Sequence, residues 1–322
     1  MQYYQEQIAL GSIIQLNLVS GASNTKINAL YQQLWQTIFR FERSFSRFLV
    51  SSELSTFNRN AGIKQAVSVE FKNLLLAAKG LSLSTDGLYN PFILPVLQLS
   101  GYTHSMVKGC ENDTQDDHSL KNVVDIKFLE IGDNWANIPY RTALDMGGCG
   151  KGYLADMLAT SMLEDVQGYW LSLGGDIVYG GTNDQGLAWK IDIQKADKQH
   201  LISNIGWIET VSNQDRAVAT SGIIARRGLK QGTNWHHIID PRTLKPAKTD
   251  ILLATINAKS ALRADVLATC AVILGTGAAP SFLKQQGISN FLLQAYSKKK
   301  GHFLIHNGSD IHLDESIGYR LY

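Results

Sequence analysis

The sequence predicts an α+β fold, a single large domain in which helices pack on a mixed or antiparallel sheet. Three observations lead there. Helix-period apolar stripes dominate the first half of the 322 residues, short strand-like runs dominate the second, and no repeat or linker divides them. A hydrophobic content of 44% is enough to bury a large core over that length.

The elements follow in order. Residues 8–19, IALGSIIQLNLV, alternate Ile14, Leu16 and Leu18 and read as one half-buried strand. In TKINALYQQLWQTIFRFERSF, the residues Ile27, Leu30, Tyr31, Leu34, Ile38, Phe41 and Phe45 recur at three- and four-residue steps, which is one helix face. The stretch SRFLVSSELSTFNRN is polar and turn-rich. A second helix is expected over about 68–83, striped by Phe71, Leu74, Leu75, Ala78 and Leu81. STDGLYNPFILP ends it with glycine and two prolines. Residues 108–120, KGCENDTQDDHSL, read as an irregular acidic loop. Asp113, Asp116, Asp117 and His118 have metal-ligand chemistry there but no rigid element to hold them, so a solvated loop is expected. Strands are expected at 170–173, 189–193, 207–211, 252–258, 291–296 and 303–306. Two helices interrupt them, one starting near Lys151 and one over 260–274 with Ser260 as N-cap.

Composition narrows the function classes. Thirty basic and twenty-eight acidic residues leave a net charge of +2, with no long basic run and no basic–aromatic interleaving, so nucleic acid is not an expected partner. Cys110, Cys149 and Cys270 form no C-x-x-C, which points away from disulfides and zinc and toward a reducing compartment. The first residues lack the basic start and apolar run of a signal peptide, and they lack a lipidated cysteine. No apolar run is long enough to span a membrane. A cytoplasmic location is expected unless an altered start hides an export signal.

Four stretches carry chemistry. ALDMGGCGKGYLADML (143–158) reads as a strand end, a glycine loop and a helix start, whose amides can cradle phosphate, with Lys151 in the first turn. It is not a Walker A loop, because Gly152 follows Lys151. A plain strand-to-helix connection has the same pattern. SLGGDIVYGG (172–181) offers Gly174-Gly175 as a close ligand approach or as a hairpin corner. In SALRADVLATCAVILG (260–275), Asp265 and Thr269 stack four apart on an otherwise apolar helix. With a backbone carbonyl they would suit Mg²⁺ or Ca²⁺. The alternative is that Thr269 bonds back into its helix while Asp265 pairs with a basic side chain. NWHHIIDPRTLKP (234–246) reads as a strand ended by Asp240-Pro241, whose alternation lets only one of His236 and His237 face a given site.

Together with FSRFLVSSELSTFN, STDGLYNPFILPVL and AVATSG, these stretches resemble, in order and spacing, the FAD:protein FMN transferases, the ApbE-type flavin transferases. The resemblance runs from about residue 41 to 275. It implies a Mg²⁺-dependent enzyme that cleaves FAD, moves FMN onto a Thr or Ser hydroxyl of a target flavoprotein and releases AMP. It implies that Asp265, Thr269 and the Gly150 carbonyl hold the metal, with Ca²⁺ or Mn²⁺ as other candidates. His237 corresponds to the base, oriented by Asp240, and His236 points away. The FAD-enclosing positions correspond to Ser46 and Phe48; to Asp86, Tyr89 and Asn90; to Gly148 and Lys151; to Gly174, Gly175 and Asp176; and to Thr220, Ser221 and Ile238. Three departures stand out. Gly150 replaces the usual Ala, Asn90 stands where Asp is common, and Leu244 replaces a glycine, so its turn must avoid a positive φ or accept strain. Two other functions compete: an FAD pyrophosphatase, with water replacing the protein hydroxyl, and a non-catalytic flavin-binding protein.

Overall fold

The computed structural model describes residues 1–104, 123–162, 166–196, 204–210, 216–230, 232–314 and 320–321. The acidic stretch 108–120 and Val211 lie outside the described residues.

A nine-stranded sheet organises the chain. Its strands are, in spatial order, Gln2–Ala9, Ser12–Val19, Gly168–Leu173, Asp176–Gly181, Ala217–Gly222, Ile251–Ala258, Asn290–Ser297, Gly301–Asn307 and Arg320–Leu321. All neighbours are antiparallel except the last pair. Alternation along the central strands serves two cores. Ala217 and Ala219 face one core with Phe291 and Leu293, while Val218 and Leu292 face the other. The first core is covered by helices α1 (Asn24–Phe45), α3 (Val69–Ser84), α5 (Gly150–Thr160) and α6 (Ala261–Leu274). The second is covered by a small sheet of Lys190–Gln194, Asn204–Glu209 and Ile311–Leu313. Among the described residues no helix is long and apolar enough to cross a membrane.

Helices α1, α3, α5 and α6 form where the stripes predict them. Ser68 and Ser260 cap α3 and α6 through their side-chain oxygens. Three differences have local causes. Residues 8–19 are not one strand, because Leu10 and Gly11 take φ of 55° and 62° and make a two-residue hairpin turn back to Gln2–Ala9. Three seven-residue helices, α2 (Glu53–Arg59), α4 (Leu94–Ser100) and α7 (Ala279–Gln285), were not anticipated. The chain before the glycine loop is not a strand either. The Asn58 side chain bonds the Leu144 amide and carbonyl, each at 2.9 Å, in place of a neighbouring strand.

Candidate active site

A cavity of about 600 Å³ opens where the end of α1, the glycine loop, the 174–175 turn and the segment 220–241 converge. The glycine loop delivers the N-terminus of α5 to it. Cys149 occupies the cap position without a side-chain hydrogen bond, and the first turn holds no acid. Of the first amides of α5, that of Gly150 bonds the Met146 carbonyl at 2.7 Å and that of Gly152 donates to the Asp265 carboxylate, so the positive end of the helix is turned toward Asp265. A Cβ on Gly148 would meet Tyr89 at 3.5 Å, an ordinary contact, so the protein itself leaves room for a side chain beside the cavity. At Gly150 a methyl would meet Phe41 at 3.6 Å, so glycine and alanine fit equally.

Gly152 has a different reason to be glycine. An added Cβ would stand 2.6 Å from the Ala261 carbonyl and 2.7 Å from the Leu262 Cα, so α5 and α6 cross nearly backbone to backbone. That crossing sets Asp265 and Thr269 beside the glycine loop and the strand Ala217–Gly222. Thr269 does not bond back into its helix; its Oγ1 lies 2.8 Å from Ser221 Oγ. Asp265 is buried, its Oδ2 has no hydrogen-bond partner, and it makes no ion pair among the described residues. Burial, and next the charge of Asp176, push its carboxyl well above the usual range, while Lys151 and Arg226 pull the other way. Lys151 makes no ion pair with it, because its ammonium donates to Asp176. One open carboxylate oxygen beside neutral hydroxyls is a donor set that fits a hard divalent cation. No group of three His, Cys, Asp or Glu competes for a softer metal among the described residues.

The histidine stretch is interrupted. A strand, Thr233–His236, ends at the first histidine, and pairing resumes only at Ile239–Asp240. His236 Nε2 donates to the Ala247 carbonyl at 3.1 Å, whereas His237 lines the cavity. The His237 backbone amide and ring Nδ1 both reach the Arg226 carbonyl, at 3.1 and 3.3 Å. A carbonyl only accepts, so Nδ1 carries the proton and Nε2 keeps its lone pair. Burial, and next the Arg226 charge, hold the imidazole down at about 3, so it stays neutral. Tyr102 meets its ring edge-on at 6.2 Å.

Two expected site residues are elsewhere. Asp240 does not orient His237. Its carboxylate accepts two bonds from the Arg242 guanidinium and one from the Arg242 amide, all at 2.9 Å, closing a local Asx turn. The Arg226 carbonyl holds the histidine instead. Asp86, at φ 50°, lines a second cavity of about 550 Å³ that shares Asn90 and Pro241 with the first. Asn90 itself caps the Phe92 amide and donates to the Val124 carbonyl.

The remaining expected positions share the large cavity. Ser46, Phe48, Tyr89 and Asn90 line one side. Gly148, Gly150, Lys151, Gly174, Gly175 and Asp176 line another, with Thr220, Ser221, Ile238, Asp265 and Thr269 completing it. Gly174 and Gly175, at φ 71° and 98°, are both a hairpin corner and cavity wall. Sequence reading missed Arg47, Tyr102 and Arg226. Arg47 lies 4.2 Å over Phe48 and 4.6 Å over Tyr102, with Asp145 at 3.1 Å. Only folding brings Asp145 and Tyr102 to Arg47, so no spacing signals it.

The ApbE family model matches residues 10–292. A protein of Klebsiella pneumoniae named FAD:protein FMN transferase is 25% identical over 85% of this chain and 79% of its own length. One of the same name from Vibrio cholerae is 27% identical, covering 71% and 69%. The flavinyl transferase ApbE of Pseudomonas stutzeri superposes with a TM-score of 0.78 over 95% of both chains at 21% identity, a likeness of fold.

Proposed function

Because the chain belongs to the ApbE family, we propose that its large cavity transfers FMN from FAD to a target flavoprotein and releases AMP. One observation supports this most: the same cavity holds a histidine with a free Nε2, the glycine-rich start of helix α5 and a buried carboxylate with an unpartnered oxygen. General base, phosphate cradle and cation ligand are the three parts that pyrophosphate cleavage needs. Both cores share one sheet, so residues 1–322 are read as one transferase unit.

Asp265, Thr269 and the Gly150 carbonyl would hold a divalent cation. Mg²⁺ is the proposed ion, and Ca²⁺ or Mn²⁺ suit the same donors. When bound, such a cation supplies Lewis-acid neutralisation of phosphate charge. The glycine loop at the start of α5 would face the phosphates, and Phe48 and Tyr102 offer aromatic surface to the rings. His237 Nε2 takes the proton of a Thr or Ser hydroxyl on the target. That oxygen bonds to the flavin-side phosphorus, and the anhydride bond breaks with its electron pair leaving on AMP. The Arg226 carbonyl keeps Nδ1–H pointed away and steadies the imidazolium that forms.

The test is incubation with FAD, Mg²⁺ and candidate flavoproteins, assaying AMP and weighing the candidates. AMP matched by an FMN-sized mass gain is expected. AMP with free FMN indicates a pyrophosphatase, and FAD left whole indicates a binding protein.

A further inference from the structure

The geometry points to Arg226 as a direct ligand of the FAD diphosphate, an assignment that rests on the FAD reading above. Arg226 lines the cavity in the short bend between the strand that ends at Gly222 and the hairpin that leads to His237. Its carbonyl receives two bonds from His237, so the start of its side chain is fixed relative to the base. Its guanidinium makes no hydrogen bond or ion pair among the described residues. The neighbouring cations differ. Arg47 is matched by Asp145, Lys151 by Asp176 and Arg242 by Asp240.

Arg226 lines the same cavity as His237 and Asp265 and, like Lys151, bears electrostatically on both. A half-buried arginine without a carboxylate on a cavity wall keeps its donors available to an anion that enters. The diphosphate is the anionic part of FAD, and a planar guanidinium can grip two of its oxygens at once. As the acceptor oxygen bonds to phosphorus and the AMP oxygen leaves with the electron pair, negative charge shifts onto oxygens within this reach. Arg226 therefore stabilises the transition state as well as binding FAD.

The experiment is FAD titration across a salt series for wild type, Arg226→Gln and Arg226→Lys, with thermal melting as the check on fold. Arg226→Gln should bind FAD about ten- to a hundredfold more weakly and show a shallower salt dependence. Arg226→Lys should keep the wild-type salt dependence and recover part of the affinity. Wild-type affinity and salt dependence in Arg226→Gln overturn the assignment. So does equal weakening in both variants with salt dependence unchanged, which marks a packing role. If Arg226→Gln melts early, its titration well below its melting point decides: a salt dependence shallower than wild type supports the contact, and wild-type salt dependence overturns it. Wild type failing to bind FAD at all overturns the functional reading itself, whereas FAD binding that ignores Arg226 sinks only this contact.

Discussion

Helices α5 and α6 each carry an aspartate where they cross, Asp156 half-buried and Asp265 buried, and the two acids end differently. Asp156 on α5 accepts the Ala261 and Leu262 amides at 2.7 and 3.0 Å, and with Ser260 it closes the N-terminus of α6. Asp265 on α6 accepts the Gly152 amide at the start of α5 but keeps Oδ2 without a partner. Burial is the main force raising the proton affinity of both acids. The difference teaches where structure ends and chemistry begins. Within one packing unit, the polar groups that find partners hold the fold, and those left open wait for a ligand.

The sharpest break between the two acids is kinetic. Asp265→Asn should reduce metal-dependent AMP release by about a thousandfold or more while leaving the melting temperature nearly unchanged. Asp156→Ala should do the reverse, lowering unfolding free energy by about 2 kcal/mol with the turnover of the folded fraction kept. Similar turnover losses in both variants would erase the distinction. Next comes the histidine pair, which repeats the contrast between adjacent residues. His237→Ala should lose roughly a hundred- to ten-thousandfold in transfer while retaining FAD, and His236→Ala should lose far less. If the order is reversed, the wrong histidine has been placed in the cavity.

The pH profile tests the same histidine more gently. A base works only when neutral, and His237 is held at about 3 in the free protein, mainly by burial. Transfer measured as kcat/KM should therefore stay level as pH falls through about 6.5. A fall centred there would show a histidine that titrates as though exposed. The smallest effect is expected at Leu244, which holds φ 55° in the turn closed by Asp240 and Arg242. Leu244→Gly should stabilise the protein by up to about 1 kcal/mol without changing transfer, and chemical denaturation measures it.

How much of this was legible in the sequence depended on whether the cause was local. The stripes of α1, α3, α5 and α6 announce themselves, because an apolar face repeating over several turns has one explanation. The strand Gln2–Ala9 does not, since as an edge strand it exposes Tyr4 and Ile8 among polar residues and buries only Ala9. Helices of seven residues are too short to repeat a stripe and are held by packing and caps, as Ser52 holds α2. In the site, the Asp265/Thr269 step and the paired histidines were readable as spacing. The role of Asp240 was misjudged because a local competitor, Arg242 two residues on, takes its carboxylate. Arg226 was invisible for the opposite reason: what distinguishes it is the absence of a partner, which only the folded chain defines.

The most direct test of the account needs no turnover. Manganese binding, followed by its paramagnetic resonance in the presence of FAD, should show one site in wild type and in Asp156→Asn, and none of comparable affinity in Asp265→Asn. Equal binding in Asp265→Asn would contradict the claim that the open oxygen of Asp265 is a metal ligand.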